Sequence, residues 1–226
     1  MTPSATYCQR YDLVPPAAAS WYRAFGKRLF DLAICLPIAI VIAPVVLLAI
    51  VLIKLDSRGP AFFVQERLGR YGVTFLTFKL RSMTDVRRSA NAEVLPGNSE
   101  VTRVGHWLRR FKIDEMPQLW NVLNGDMSFV GPRPALPDAI REYNTEGLRR
   151  LLERPGLTGL AQVNGNIYLS WPERWSYDAD YVSRVSFLLD VGIVLKTAAV
   201  VTLGEERFLR RREQATPQPE SERRAA

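Results

Sequence analysis

Two adjacent acids, Asp114 and Glu115, directly follow a basic stretch and precede Pro117. Proline is tolerated only in the first turn of a helix, so the sequence predicts a helix start with Asp114 near the N-cap. Adjacent side chains diverge by about 100° along a helix, but at a helix start both carboxylates can turn toward one pocket. Helix N-termini favour negative charge, which predicts an ionised carboxylate available as a nucleophile or metal ligand. The alternative is an ordinary N-cap followed by a first-turn acid.

Phosphoryl transfer is the chemistry that best uses such a pair. It requires an oxygen nucleophile, a hard cation such as Mg²⁺, and fixed positive charge on the phosphates. Asp114 can supply the nucleophile and, with Glu115, can help to hold Mg²⁺. Four basic residues are candidates for the fixed charge: Lys79, Arg81, Arg109 and Arg133. The prolines of GPRP at 131–134 restrict the backbone on both sides of Arg133.

Composition excludes several other chemistries. The 226 residues are 47% apolar and 23% charged, which excludes a chain that is disordered as a whole. One histidine and two cysteines exclude a His-based metal site, and they predict neither a zinc site nor a disulfide framework. The net charge of +7 is concentrated in residues 54–112, with 12 Lys and Arg against 5 Asp and Glu. This block predicts an anionic partner, either phospholipid, a phosphorylated metabolite or nucleic acid, although a solvated basic surface is the alternative.

Residues 32–53 form an uncharged apolar run of 22 residues. As a straight helix the run would be about 33 Å long, close to the thickness of a bilayer core. Pro44 removes a helical N–H and predicts a kink, and cations flank both ends of the run. The positive-inside rule places both flanks on the cytoplasmic side, which favours a kinked, re-entrant hairpin. A single membrane span is the alternative.

The remaining chain contains short elements of both types. Two strands are predicted around a turn at Gly69–Gly72, and residues 84–98 are predicted to be a loop. Helices are predicted at 99–111, 115–124 and 136–153. The apolar residues 181–203 include Asp190 and Lys196, which predicts a buried or interfacial segment rather than a span.

Six stretches of the sequence together resemble the bacterial sugar transferases, the small monotopic phosphoglycosyl transferases. The resemblance runs from Lys27 to Leu203 and includes the Pro-kinked apolar run. Its motifs are KRLFD (27–31), IKLDSRGPAFFVQERLGR (53–70), FKLRSM (78–83), IDEMPQLWNVLNGDMSFVGPRP (113–134), RPGLTGLAQVNG (154–165) and YDADYVSRVSFLLD (177–190).

The resemblance implies a reaction and a location. Members of this family transfer a sugar-1-phosphate from a nucleoside diphosphate sugar, usually a UDP-sugar, to a polyprenyl phosphate such as undecaprenyl phosphate. Asp114 matches the nucleophile, which carries the phosphosugar covalently, Glu115 matches its partner acid, and Mg²⁺ is required. The resemblance also implies a re-entrant helix broken at Pro44, in the bacterial inner membrane, with the catalytic domain on the cytoplasmic face. The product would pass to downstream glycosyltransferases that build exopolysaccharide, capsule or O-antigen.

Substrate binding is assigned to residues in four of the motifs, one of which contains the GPRP loop, and to Arg109, which lies outside them. These are Lys79, Arg81, Arg109, Arg133, Gln162, Asn164 and Asp178. The sequence leaves open whether Asp178 and Asp190 serve the site or the fold. It departs from the family at Ala43, where serine is common before the membrane proline, and at Asn166, where arginine is common. The sugar and the oligomeric state are not specified.

The predicted fold class is α+β, mainly helical: a membrane-associated catalytic domain with an N-terminal Pro-kinked re-entrant membrane helix and a small β-hairpin. The predicted divisions are a flexible N-terminus (1–20), the interfacial and re-entrant helix (21–54), the catalytic domain (55–204) and a charged tail (205–226). The rival hypothesis is a non-catalytic, membrane-tethered basic module that binds lipid or nucleic acid. No nucleic-acid-binding module is recognisable in the sequence, so nucleic acid is not predicted as a partner.

Overall fold

The computed structural model describes residues 21–84 and 100–203. Within these residues the chain forms six α-helices and four short β-strands, so the mainly helical α+β class is confirmed. The helices are α1 (Lys27–Asp56), α2 (Arg103–Arg110), α3 (Leu119–Asn124), α4 (Thr145–Arg149), α5 (Trp171–Arg184) and α6 (Phe187–Leu203). The strands are β1 (Phe62–Leu68), β2 (Thr74–Leu80), β3 (Ser128–Val130) and β4 (Gly156–Thr158).

The strands form two separate two-stranded sheets. Strands β1 and β2 are antiparallel, with Phe62 opposite Leu80 and Leu68 opposite Thr74. The turn between them contains Tyr71 at φ 59°. The antiparallel pairing confirms the predicted hairpin. The sequence did not predict the second sheet, in which β3 and β4 are parallel. Strands of three residues are too short to give an alternating pattern.

Helix α1 follows a π-helical turn at Tyr22–Gly26 and packs along the domain over both of its halves. Cys35, in the first half, is fully buried in the main core beside Val122 and Ile193. Ala49 and Ile53, in the second half, pack in a smaller cluster with residues that include Leu80 and Leu108. Helix α1 therefore contributes core residues to the domain in addition to containing the apolar run.

The helical segment Tyr22–Asp56 is long and apolar enough to cross a membrane, and it is the one such segment in the described part of the chain. Only 11% of its most apolar 18-residue window is buried in the protein, whereas a core helix would be mostly buried. This agrees with membrane association. Pro37 and Pro44 both lie inside the continuous helix α1, and the re-entrant path through the membrane stays a prediction.

A buried cluster of charges, the Lys27–Asp190 cluster, joins α1 to α6. Lys27 Nζ lies 3.0 Å from Asp190 Oδ2 and 3.4 Å from Asp31 Oδ1. The hydroxyls of Tyr22 and Tyr181 donate to Asp190 at 2.5 and 2.8 Å. All the carboxylate and ammonium groups are less than 10% exposed. The sequence left the role of Asp190 open, and the structure assigns it to the fold.

The same cluster reaches strand β3. Asp31 Oδ1 accepts hydrogen bonds from Ser128 Oγ at 2.9 Å and from the Phe129 backbone N–H at 3.0 Å. The Tyr181 hydroxyl lies 3.0 Å from the carbonyl oxygen of Val130. Strand β3 leads directly into the GPRP loop, so the cluster fixes the strand from which that loop departs.

The predicted single helix over 136–153 is wrong. The segment contains a 3₁₀ helix (Pro137–Glu142), helix α4 and a second 3₁₀ helix (Arg150–Leu152). The break occurs because Asn144 caps a new helix, its side chain accepting from the Gly147 N–H at 2.8 Å. The spacing of apolar residues, from which the helix was predicted, does not reveal such an internal cap.

Other boundaries moved less. Residues 181–203 contain the end of α5 and all of α6, separated at Val185 and Ser186. The helix predicted at 99–111 is α2. Its N-cap is Thr102, whose side chain accepts a hydrogen bond from the Gly105 N–H. The predicted N-terminal segment (1–20), nearly all of the 84–98 loop, and the charged tail (205–226) lie outside the described residues.

Candidate active site

The two acids lie at the start of a 3₁₀ helix, Ile113–Gln118, which continues into α3. Lys112 precedes this helix in the left-handed conformation, at φ 56°, and occupies the N-cap position. Asp114 is therefore the second residue of this helix, in its first turn and close to the N-cap. Pro117 lies inside the same short helix. The helix packs against β2, which brings the carboxylates to the side chains of that strand.

Asp114 is buried, with 7% of its surface exposed. Its Oδ1 atom has no hydrogen-bond partner among the described residues. Burial raises the pKa of Asp114, and the negative charge of Glu115 raises it further, whereas Lys79, Arg109 and Lys112 pull the pKa down. Burial thus opposes the ionisation that the helix start favours, and the cations counter that effect.

Glu115 is held by two cations through one oxygen. Lys79 Nζ lies 2.7 Å from Oε1 of Glu115, and Arg133 Nη2 lies 2.8 Å from the same atom. Burial alone would raise the pKa of Glu115, but Arg133, Lys79 and Lys112 outweigh it and hold that pKa well below its ordinary value. Burial lowers the pKa of Lys79, and the charge on Glu115 opposes that change. Glu115 is therefore the more acidic of the two carboxyls.

Three predicted basic residues lie with the carboxylates: Lys79 on β2, Arg109 on α2, and Arg133 on the GPRP loop. Arg109 donates from Nε to Ser82 Oγ at 3.2 Å, and its charge lowers the pKa of Asp114. Lys112 was not assigned to the site from the sequence. Its position between α2 and the carboxylates is the signal that could have found it.

The backbone around Arg133, residues 132–135, is fixed by four consecutive hydrogen bonds. Each carbonyl of Pro132, Arg133, Pro134 and Ala135 accepts one bond, at 2.8, 2.6, 3.1 and 2.8 Å. The donors, in the same order, are Gly156 N–H, Arg150, Arg67 and Leu68 N–H. A Cβ on Gly156 would lie 2.1 Å from Gly131 N, so this close approach requires glycine. The prediction of a rigid GPRP loop is consistent with this anchoring.

Arg81 is engaged elsewhere. It is buried, and its guanidinium donates to the carbonyls of Ser57 and Arg58 at 2.7 and 2.9 Å. These carbonyls follow the C-terminus of α1, where cations are favourable. The structure therefore ties Arg81 to the end of α1 rather than to the carboxylate pair.

The other predicted binding residues also make local contacts. Gln162 donates to the Leu157 carbonyl at 3.2 Å, and Asn164 donates to the Leu160 carbonyl at 2.7 Å. Asp178 lies 1% exposed beside Arg150, whose Nη2 is 2.9 Å from Asp178 Oδ2. These contacts link the three residues to Leu157, Leu160 and Arg150 rather than to the carboxylate pair. Arg150 and Arg67 were missed because the sequence gives no sign that a distant arginine supports the GPRP loop.

The chemistry of the pair suits Mg²⁺. In the described residues no group of three or more His, Cys, Asp and Glu could hold a metal. Mg²⁺, however, commonly uses one or two carboxylates and completes its shell with substrate phosphates and water. The unpartnered Oδ1 of Asp114 and the adjacent carboxylate of Glu115 fit that kind of site.

Comparison with known proteins gives this site a context. The profile of the family described as "Bacterial sugar transferase" matches residues 22–204, which include the carboxylates and every cation around them. The chain belongs to the bacterial sugar transferase family. The resemblance read from the sequence motifs is thereby confirmed.

Individual relatives of this sugar transferase span most of its described length. A protein of Bacillus subtilis named "Uncharacterized sugar transferase EpsL" is 40% identical over 79% of this chain and 88% of its own. The "UDP-glucose:undecaprenyl-phosphate glucose-1-phosphate transferase" of Caulobacter vibrioides is 43% identical over 76% of this chain and 67% of its own. The "Undecaprenyl-phosphate galactose phosphotransferase" of Salmonella typhimurium is 34% identical over 78% of this chain but only 40% of its own. The predicted enzyme class, a phosphoglycosyl transferase, is confirmed.

Proposed function

We propose that this sugar transferase moves a sugar-1-phosphate from a UDP-sugar to undecaprenyl phosphate through a covalent phosphosugar on Asp114. The observation that carries the proposal is a buried carboxylate with an unpartnered oxygen, beside an ionised glutamate and several cations. Two relatives are named for transfer of glucose or galactose phosphate to undecaprenyl phosphate, which supports the lipid acceptor.

In the first step an oxygen of Asp114 attacks the β-phosphorus of the UDP-sugar. A bond forms between that oxygen and phosphorus, and the bond from the β-phosphorus to the bridging oxygen breaks. UMP leaves with the bonding electron pair, and the sugar phosphate stays on Asp114. Carboxylates serve as nucleophiles of this kind in aspartyl-phosphate enzymes.

In the second step a phosphate oxygen of undecaprenyl phosphate attacks the same phosphorus. The bond to Asp114 breaks, the carboxylate is restored, and the sugar is left on a lipid diphosphate. One nucleophile thus serves a soluble and a lipid substrate in turn, which is a ping-pong scheme. A site close to the apolar helix α1 would let both substrates reach the same atom.

The cations around the pair act on the phosphates. Lys79, Arg109, Lys112 and Arg133 provide fixed positive charge where negative charge gathers on the transferring phosphoryl group. Glu115 orients two of them, since Lys79 and Arg133 both contact its Oε1. Asp114 and Glu115 would hold Mg²⁺, which when bound neutralises phosphate charge.

The proposed location is the cytoplasmic face of the bacterial inner membrane. The apolar helix α1 would enter the bilayer by the re-entrant path that Pro44 predicts. The part of the positive charge of 54–112 that the site does not use would then face an anionic leaflet, which attracts basic clusters. Glycosyltransferases that extend the lipid-linked sugar would consume the product.

The test of the function is nucleotide release. The full chain, purified in detergent with Mg²⁺ and undecaprenyl phosphate, is offered a panel of UDP-sugars, and UMP is measured. We expect UMP with at least one donor. Release over many turnovers should require the lipid acceptor, because only the lipid restores Asp114 after each first step. A binding module releases no nucleotide, so the absence of UMP with every natural UDP-sugar would contradict the proposal and favour the non-catalytic tether.

The rate of UMP release should fall as pH decreases. Asp114 must be ionised to attack, and burial raises its pKa above the ordinary 3.8, so the midpoint should lie above that value. Glu115 should not add a second step in that range, because its pKa is held well below its ordinary value. Lys79→Gln removes a cation that lowers the pKa of Asp114 and should move the midpoint upward. A rate that stays constant down to about pH 4 would contradict this assignment.

A further inference from the structure

Arg150 is a buried arginine that touches no carboxylate of the pair yet contacts the loop that carries Arg133. It begins the 3₁₀ helix Arg150–Leu152 and is 5% exposed. Its Nη2 donates to the carbonyl oxygen of Arg133 at 2.6 Å, and its Nη1 donates to the Tyr143 hydroxyl at 3.0 Å. The Arg150 guanidinium thus binds both the GPRP loop and Tyr143.

Asp178 explains why a cation can be kept there. Helix α5 places this carboxylate in the core, 2.9 Å from Arg150 Nη2, with both side chains 5% exposed or less. A buried charge is costly unless an opposite charge compensates it. Asp178 therefore holds Arg150 in position, and at 1% exposed it has almost no surface open to a substrate.

The two ends of Arg133 face different partners. Its carbonyl accepts from Arg150, while its guanidinium reaches 2.8 Å from Glu115 Oε1. A shift of the loop would move the guanidinium away from Glu115, and Lys79 would then be the remaining cation on that oxygen. Misplacement of a catalytic group by about 1 Å can cost about 100-fold in rate.

We propose that Arg150 and Asp178 are positioning residues, which hold the Arg133 carbonyl and thereby aim the Arg133 guanidinium at Glu115 and the phosphates. This inference rests on the proposed function for its effect on rate. It replaces the substrate-binding role that the sequence suggested for Asp178 with an indirect one through Arg150.

Arg150→Lys is the decisive variant, because lysine keeps the charge beside Asp178 but loses the planar fork that reaches several acceptors together. We expect kcat/KM for UMP release to fall about 10- to 100-fold, with the melting temperature little changed. Arg149→Lys, at the exposed neighbouring position, is the matched control and should keep the original rate. Asp178→Asn, which removes the compensating charge, should lower the rate in the same way.

A double-mutant cycle separates positioning from a general structural role. If Arg150 acts through Arg133, adding Arg150→Lys to Arg133→Met should cost little beyond Arg133→Met alone. Fully additive losses would overturn the proposal, because they would mean that Arg150 acts by another route.

Hydrogen exchange tests the same inference without turnover. Three amides donate the hydrogen bonds that anchor the GPRP loop, those of Leu68, Gly131 and Gly156. They should exchange faster in Arg150→Lys than in the original protein or in Arg149→Lys, while the amides of α5 stay protected. Unchanged exchange at these amides would overturn the positioning role. Faster exchange in an enzyme that releases no UMP from any donor would instead uphold the positioning of the loop and reject the proposed function.

Discussion

Asp114→Asn is expected to abolish UMP release, with a loss of at least about 10⁴-fold in kcat. Asparagine has nearly the same shape but cannot form the acyl phosphate through which the proposed reaction passes. Folding should survive, because Asp114 makes no hydrogen bond through its buried Oδ1 that the substitution would break. Mass spectrometry of the protein mixed with a UDP-sugar in the absence of lipid should show an added sugar phosphate on the original chain and none on the variant.

Two comparisons sharpen this experiment. Glu115→Gln should lower the rate but still permit the covalent adduct, because the nucleophile remains while Lys79 and Arg133 lose their shared anion. Asp138→Asn changes an exposed acid in the same chemical way and should leave the rate unaltered. Retention of more than about a tenth of the activity in Asp114→Asn would exclude the aspartate as the nucleophile.

Asp190→Ala is expected to lower the free energy of unfolding by about 3–5 kcal/mol, the largest stability effect that we predict. The substitution leaves the buried Lys27 ammonium with Asp31 alone, at 3.4 Å, and removes the acceptor of two tyrosine hydroxyls. Breaking one side of a buried pair is costly because the other charge stays buried. Denaturant unfolding of the detergent-solubilised protein measures the change.

The matched control is Asp180→Ala. Asp180 pairs with Arg184 at an exposed site on α5, so its removal should cost at most about 1 kcal/mol. If Asp190→Ala unfolded at the same denaturant concentration as Asp180→Ala, the Lys27–Asp190 cluster would not stabilise the fold.

Local signals in the sequence predicted the features that depend on local structure. The glycines at 69 and 72 predicted the β1–β2 hairpin, and Pro117 predicted a helix start at the two acids. The same reasoning associated Lys79, Arg109 and Arg133 with the carboxylates, because phosphate chemistry needs cations. The folded chain brings these three residues to the pair, together with Lys112.

Features that depend on distant contacts could not be predicted. Arg150 lies 17 residues from Arg133 and 28 from Asp178, and no pattern links the three before the chain folds. Arg81 shows the converse: it is two residues from Lys79 in the sequence, but its guanidinium binds the carbonyls at the end of α1. The first break within 136–153 followed from a single cap at Asn144.

The Lys27–Asp190 cluster also sets the order of events during synthesis. Tyr22 and Asp190 are 168 residues apart, so the ribosome makes almost the whole described chain between the two partners. Contacts of such long sequence separation form late, since the intervening loop must close first. Helix α1 is therefore made long before α6 exists to bring Asp190 to Lys27. With α1 in the bilayer as proposed, the chain should complete its catalytic domain against a helix that is already at the membrane.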